Sequence, residues 1–302
     1  MSDLEFRKNM EFAYGVPREL APGVQRVVAN NPSIFTFRGT NTYVIGSKGD
    51  LAVIDPGPDD DAHYSALMSL IGDRKVSHIA VTHTHRDHVD GLGRFAAATG
   101  AQVCGFGRTA HEAGKLRKSP SGAEFIDLDF KPDLKVEDGD VLTGSDWTLE
   151  AIFTPGHAPD HLCFALREQD VLFSGDHVMG WNTTVVAPPE GHMADYMASL
   201  ERLVKRTDSI YLPGHGGQIA EPQKMTRAYL VHRRLREQAI LGAIRSGHKS
   251  IREIVGLIYT GLDERLVAAA SLSVQAHVED LAERGLILAE LPLDFESTIY
   301  LN

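Results

Sequence analysis

Four times in this 302-residue chain a short apolar run ends in small or turn-forming residues, and the next position is a histidine or an aspartate. His78-Ile79-Ala80-Val81-Thr82 leads into His83, and Ile152-Phe153-Thr154-Pro155-Gly156 leads into His157. Leu172-Phe173-Ser174-Gly175 leads into Asp176, and Ile210-Tyr211-Leu212-Pro213-Gly214 leads into His215. Short apolar runs bounded by Gly, Pro or Asp read as buried strands. Strand ends that share a rim are where loops assemble sites. The pattern therefore asks for sheets whose ends converge on one place.

The first of these segments is the densest: Thr82-His83-Thr84-His85-Arg86-Asp87-His88. Alternate residues of an extended chain point the same way, so His83 and His85 are placed to share one metal. The turn into a helix then redirects Asp87 and His88 toward a second position a short distance away. Imidazole and carboxylate are the ligands that zinc accepts in hydrolytic sites. The same nitrogen and oxygen donors also accept manganese or iron. A single histidine after a strand is ordinarily a surface loop residue. Its joint occurrence with the His83–His88 cluster makes His157, Asp176 and His215 candidate ligands as well.

The rest of the chain sets the frame. Apolar runs at 51–54, 78–81, 149–153 and 171–173 read as strands. Helices are expected at 62–71, after an Asp59-Asp60-Asp61 cap, and at 89–98, stopping at Gly100. Met193, Tyr196, Met197, Leu200, Leu203 and Val204 follow helical spacing and read as a core-packing stripe. Strands alternating with single helices indicate an α/β sandwich. From residue 222 the character is mainly helical, over roughly 222–245, 249–258 and 263–284, with a short strand at 285–288. This predicts a catalytic domain over 1–221 and a small winged-helix-like domain over 222–302. Residues 222–252 carry eight Lys and Arg against one acid, a net +7. This stretch reads equally as a substrate-binding face and as a face ion-paired with the acidic remainder. The net charge of the whole chain is −11, which argues against nonspecific nucleic-acid binding over the entire surface. No leader-like segment opens the sequence, and no run approaches the roughly 20 apolar residues that span a bilayer. A cytoplasmic protein without a membrane partner is the expectation. Cys104 and Cys163 each lie in an apolar run and read as buried thiols.

The H-x-H-x-D-H-x-x-G core from His83 to Gly91, followed in order by His157, Asp176 and His215, resembles the metallo-β-lactamase superfamily. The resemblance implies an αβ/βα sandwich with a dinuclear zinc site at one edge. It implies that His83, His85 and His157 bind one ion, that Asp87, His88 and His215 bind the other, and that Asp176 bridges them. It also implies hydrolysis by a zinc-bound hydroxide, with Asp87 orienting or deprotonating the nucleophile. Asp55 falls where the family keeps an acid that orients a ligating histidine. Lactam-cleaving members commonly place a thiolate where Asp176 stands, so the resemblance points away from β-lactamase activity. Gly39-Thr40-Asn41-Thr42-Tyr43, the segment from Gly175 to Thr184 and the helical tail are similar to the beta-lactamase-like protein 2 group. That likeness implies an endoribonuclease or phosphodiesterase acting on single-stranded RNA. The alternative is a thioesterase or lactonase on a small metabolite, in the manner of glyoxalase II. Asn41, Thr183 and Thr184 are expected near the substrate, and Trp181 either stacks on a base or packs as core. His177 stands where asparagine is expected after Gly-Asp. His161, His177 and His192 are the candidates for a general acid.

Overall fold

The computed structural model describes residues 4–108, 116, 123–261, 264–289 and 292–302. Among them, a first sheet contains β1 (Arg18–Ala21), β2 (Val24–Val28), β3 (Asn41–Ile45), β4 (Leu51–Ile54), β5 (Val76–Ala80), β6 (Gln102–Gly105) and β7 (Leu134–Lys135), in that spatial order. Its first four strands pair antiparallel, and β4 to β7 pair parallel. A second sheet holds β8 (Val141–Thr143), β9 (Thr148–Phe153), β10 (Leu162–Leu166), β11 (Val171–Gly175) and β12 (Ile210–Pro213), antiparallel except for the β11–β12 pair.

The strands alternate between two apolar environments. In β3, Tyr43 and Ile45 face the other sheet while Val44 faces outward to helices. In β10, Leu162, Phe164 and Leu166 join the inter-sheet core while Cys163 and Ala165 face outward. Full burial of a side chain such as Phe164 or Phe173 contributes about 1.5–3 kcal/mol. Outside the first sheet pack α1 (Asp61–Ile71), α2 (Arg86–Val89) and α3 (Leu92–Thr99), delivering Leu67, Ile71, Val89 and Phe95. Asp60 caps α1 by accepting from the His63 N–H at 2.7 Å, and Gly100 ends α3 in the left-handed conformation. Outside the second sheet lies α4 (Met193–Val204), which buries Met193, Tyr196, Leu200 and Leu203 as its spacing requires. The result is the four-layer αβ/βα sandwich. The two cysteines are free and buried, one in the inter-sheet core and one on the outer face.

The C-terminal part is a winged helix: α5 (Pro222–Arg245), α6 (Ile251–Ile258), α7 (Glu264–Glu283) and a wing of β13 (Ile287–Leu288) paired antiparallel with β14 (Tyr300–Leu301). Ser250 caps α6 through the Glu253 N–H. The helix α5 belongs to two cores. Tyr229 and Leu230 pack with α4 on the sandwich, whereas Ile240, Ala243 and Ile244 pack with α6, α7 and the wing. Tyr229 Oη also donates to the Met179 carbonyl at 2.6 Å, tying α5 to the loop after β11. Among the described residues, no helix is long and apolar enough to cross a membrane.

Candidate metal centre

Because β10 is antiparallel to both β9 and β11, and β12 is parallel to β11, the strands β9, β11 and β12 run the same way. Their C-terminal ends therefore share one edge of the sandwich, where β4 and β5 of the first sheet also end. Beyond these five ends stand His157, Asp176, His215, Asp55 and His83. The short helix α2 then supplies Asp87 and His88 from its first turn. The seven side chains expected from the sequence come together in three overlapping groups: His83, His85 and His157; His83, His88 and Asp176; and Asp87, His88 and His215. Within each group the ligand atoms lie within 4.8 Å of one another.

The outward hydrogen bonds of the five imidazoles fix what their inward nitrogens can do. His157 Nδ1 donates to the Val185 carbonyl at 2.7 Å, His85 Nε2 to Glu190 Oε2 at 2.9 Å, and His88 Nδ1 to Asp55 Oδ2 at 2.9 Å. His215 Nδ1 donates to the Gly39 carbonyl at 3.3 Å. The Thr82 hydroxyl spends its proton on Asp55 Oδ2, so its oxygen accepts from His83 Nδ1 at 2.9 Å. Each ring in its neutral form thus carries its proton on the outside and a lone pair on the inside. His85 Nδ1 lies 2.9 Å from His83 Nε2 and 3.1 Å from His157 Nε2. Three lone pairs converging at that distance repel each other, and a cation among them relieves this. In the other half, Nε2 of His88 and Oδ1 of Asp176 are buried without a hydrogen-bond partner. A Cβ on Gly214 would sit 2.4 Å from Asp176 Oδ1 and 2.7 Å from His88 Cε1, so only glycine lets the backbone approach this closely. The donor set fits divalent cations.

Asp176 reaches both halves: Oδ2 is 3.2 Å from His215 Nε2 and 3.8 Å from His157 Nε2, and Oδ1 is 3.7 Å from His88 Nε2. Asp87 Oδ2 lies 3.2 Å from His215 Nε2 and 3.4 Å from His88 Nε2. Burial lowers the basicity of His83 well below the usual range and that of His157 to about 4. Burial works the same way on His88 and His215, but Asp176 and Asp87 overcome it, raising His88 well above the usual value and His215 to about 9. For Asp87 and Asp176 burial opposes ionisation, and His88 and His215 outweigh it, so both remain anionic. The half with the two carboxylates therefore attracts positive charge; in the other half His83 and His157 offer neutral donors, whereas for His85 burial is outweighed by Glu190, which raises its basicity.

The surroundings repeat the theme of outward support. Asp55 sits at φ +50, an uncommon conformation for a residue with a Cβ. Its carboxylate accepts from Thr82 N at 2.8 Å, Thr82 Oγ1 at 2.7 Å and His88 Nδ1 at 2.9 Å. Sequence reasoning missed four residues. Thr40 Oγ1 donates to Asp87 Oδ2 at 2.9 Å. Glu190 holds His85, and Arg108 joins Glu190 to Asp160. Their sequence separations from the ligands carry no periodic signal.

Other expectations are corrected. Asn41 is fully buried, with Nδ2 donating to the carbonyls of Pro213 at 2.8 Å and Gly216 at 2.9 Å, so it clamps the His215 loop and is not presented to substrate. Thr184 is also buried, and its hydroxyl is spent on the carbonyls of Asp176 at 2.7 Å and His177 at 3.1 Å. Thr183 is half-buried, with its N–H on Asn182 Oδ1 at 2.9 Å, and is not among those corrected. Trp181 stacks on Phe37 with ring centroids 4.8 Å apart and packs as core. Of the three candidate general acids, the two buried ones are not placed for that role. His161 is fully buried, accepting from the Asp176 N–H and bonded to Thr154. His177 is fully buried beside Tyr196, and burial lowers its basicity to about 3. His192 is ion-paired with Asp195 and Glu283 at the start of α4.

The family model for the metallo-beta-lactamase superfamily matches residues 35–215, and the model for the beta-lactamase associated winged helix domain matches 250–290. The chain belongs to the metallo-beta-lactamase superfamily of hydrolases, in the subgroup that carries this winged helix. It is similar to the beta-lactamase-like protein 2 homolog of Drosophila melanogaster, at 32% identity over 93% of this chain and 95% of the relative. It is also similar to an atrochrysone carboxyl ACP thioesterase of Aspergillus fumigatus, at 29% identity over 86% of this chain and 77% of the relative. A solved metallo-beta-lactamase family protein of Thermus thermophilus shares the fold with a TM-score of 0.76, covering 94% of this chain and all of that one at 23% identity.

Proposed function

We propose that the protein hydrolyses thioesters, or activated carboxylic esters, bearing an apolar acyl group, with two divalent cations at the seven-residue centre. Zinc is the first candidate, and manganese and iron suit the same donors. His83, His85 and His157 hold one ion, Asp87, His88 and His215 hold the other, and Asp176 lies between them. When bound, such ions lower the pKa of water toward neutrality and polarise a carbonyl.

The observation that carries the substrate class is the rim. The centre opens on the side of Asp87 and His85, whose side chains are 29% and 18% exposed against 0–10% for the other ligands with printed values. Two segments bonded to that side carry exposed apolar groups. The loop ending at Gly39 and Thr40, which hold His215 and Asp87, carries Ile34 at 40% and Phe35 at 46%. The segment in which Ile126 bridges to His85 carries Phe125 at 60%. Such groups suit an acyl chain better than a phosphodiester backbone.

The basic stretch at 222–252 supports the same choice, because six of its eight cations are engaged within the chain. Arg233 is buried on the Thr184 carbonyl, Arg234 pairs with Glu201 at 2.9 Å, Arg252 pairs with Glu296, and Lys224 pairs with Glu221 at 3.5 Å. Arg236 lies over Tyr259 and Lys249 over Tyr300. His161 and His177 are buried and His192 is held by two carboxylates, which favours a leaving group that needs no proton. A thiolate, with a thiol pKa of about 8.5, is such a group, whereas an alkoxide is far more basic. Asp87, anionic and held by Thr40, is the chain's own group for orienting the attacking water and taking its proton. The test is a panel of acyl thioesters of increasing chain length beside single-stranded RNA, using metal-loaded protein and Asp87→Ala. Thioester turnover that rises with chain length and disappears in Asp87→Ala is expected. RNA cleavage without thioester turnover overturns the proposal.

A further inference from the structure

We infer that Glu190, clamped by Arg108 and Asp160, is a positioning residue for His85 and adds negative charge behind the three-histidine half of the centre, which Asp176 alone reaches from within. The inference rests on the metal-binding reading above. Of the five inward-facing imidazoles, two are backed by carboxylates: His88 by Asp55 and His85 by Glu190. The others are backed by the carbonyls of Val185 and Gly39 and by the Thr82 hydroxyl. Each half thus has one carboxylate-backed histidine. Such outer partners fix the ring's tautomer and raise its basicity as a ligand.

The cluster behind His85 is built for this. Arg108 Nη2 contacts both Glu190 Oε1 and, at 3.0 Å, Asp160 Oδ1. Arg108 Nε donates to Thr84 Oγ1 at 2.8 Å, and that hydroxyl donates to Asp160 Oδ2 at 2.7 Å. The side chains of Arg108, Asp160 and Glu190 are 3%, 2% and 9% exposed. Two carboxylates share the one guanidinium of Arg108, so the cluster holds one buried excess negative charge. Burying such a charge is costly unless a positive group faces it. The group that Glu190 Oε2 faces is the His85 ring, at 2.9 Å, on the side of the centre whose donors are three imidazoles. On the other side Asp87 supplies negative charge directly.

The test compares wild type, Glu190→Gln and Glu190→Asp in metal content after graded chelator dialysis and in the visible spectrum of the cobalt-loaded proteins. Arg108 and Asp160 remain a neutral pair in Glu190→Gln. Wild type is expected to retain two ions, and Glu190→Gln to lose one of them with an affinity about 10–100-fold weaker. The second ion is held as before, and the cobalt spectrum changes. Glu190→Asp, which keeps the charge, restores the lost ion in part. A folded Glu190→Gln protein with both ions at wild-type affinity and an unchanged cobalt spectrum overturns the inference alone. A wild-type chain that holds no metal overturns the metal reading and this inference together. Should Glu190→Gln fail to fold, the tautomer of His85 in the zinc-loaded wild type decides. A proton on Nε2 in the long-range nitrogen–proton spectrum supports the inference, and a proton on Nδ1 overturns it.

Discussion

Replacing Asp55 by asparagine changes one atom in a fully buried network, and the geometry determines the consequence. The carboxylate accepts three hydrogen bonds, from Thr82 N, Thr82 Oγ1 and His88 Nδ1. An asparagine there must turn its NH₂ toward one side. With the amide oxygen kept on Thr82 N, the NH₂ confronts the N–H of His88 Nδ1. The ring escapes only by moving its proton to Nε2, which removes the lone pair aimed at Asp87 and Asp176. With the amide reversed, the NH₂ confronts the backbone N–H of Thr82. A buried donor left unsatisfied costs about 1–3 kcal/mol. At about 1.36 kcal/mol per tenfold, the first arrangement weakens the ion held by Asp87, His88 and His215 by roughly 10–100-fold. The second appears as the same loss of folding stability. Calorimetric titration of metal into metal-free protein, beside urea unfolding, measures both. An Asp55→Asn protein with wild-type affinity for both ions and wild-type unfolding free energy refutes the tautomer argument.

Gly214→Ala places a methyl against Asp176 Oδ1 and His88. It should lower retention of metal at least tenfold while circular dichroism stays that of the wild type, and undiminished metal content would contradict the close approach. The Asp50 carboxyl is lowered to about 2 by hydrogen bonds from the Ser145 and Ser77 hydroxyls, with burial opposing. A depressed carboxyl stabilises the fold above its unfolded pKa of about 3.9, and that contribution is lost as pH falls through about 2. The gap in unfolding midpoint between wild type and Asp50→Asn is therefore expected to be widest above about pH 4 and to close toward about pH 2, and a gap independent of pH contradicts it.

What could be read from the sequence follows physical locality. His83, His85, Asp87 and His88 are close in the chain and follow a strand, so their convergence needed no tertiary information. His157, Asp176 and His215 were legible because each repeats the same strand-end context. Thr40 and Glu190 were not, since their partners lie 47 and 105 positions away and a lone threonine or glutamate carries no pattern. Asn41 and Thr184 were misplaced for a related reason. Proximity to the centre was right, but sequence does not say whether a polar side chain faces substrate or satisfies the backbone of a loop. The helix α5 was found by its length and spacing, yet nothing local shows that Tyr229 and Ile244 serve different cores. The basic run could not be decided between its two readings for the same reason, because charge along a helix says nothing of Glu201 and Glu296, which meet it from elsewhere.

The most direct measurement is the hydrolysis rate of a long-chain acyl thioester as divalent metal is returned, in counted equivalents, to metal-free protein. The account predicts no rate without metal, a rise that levels at two equivalents per chain, and no rise in Asp87→Ala. A rate that is the same with and without metal, or absent at every loading, contradicts it.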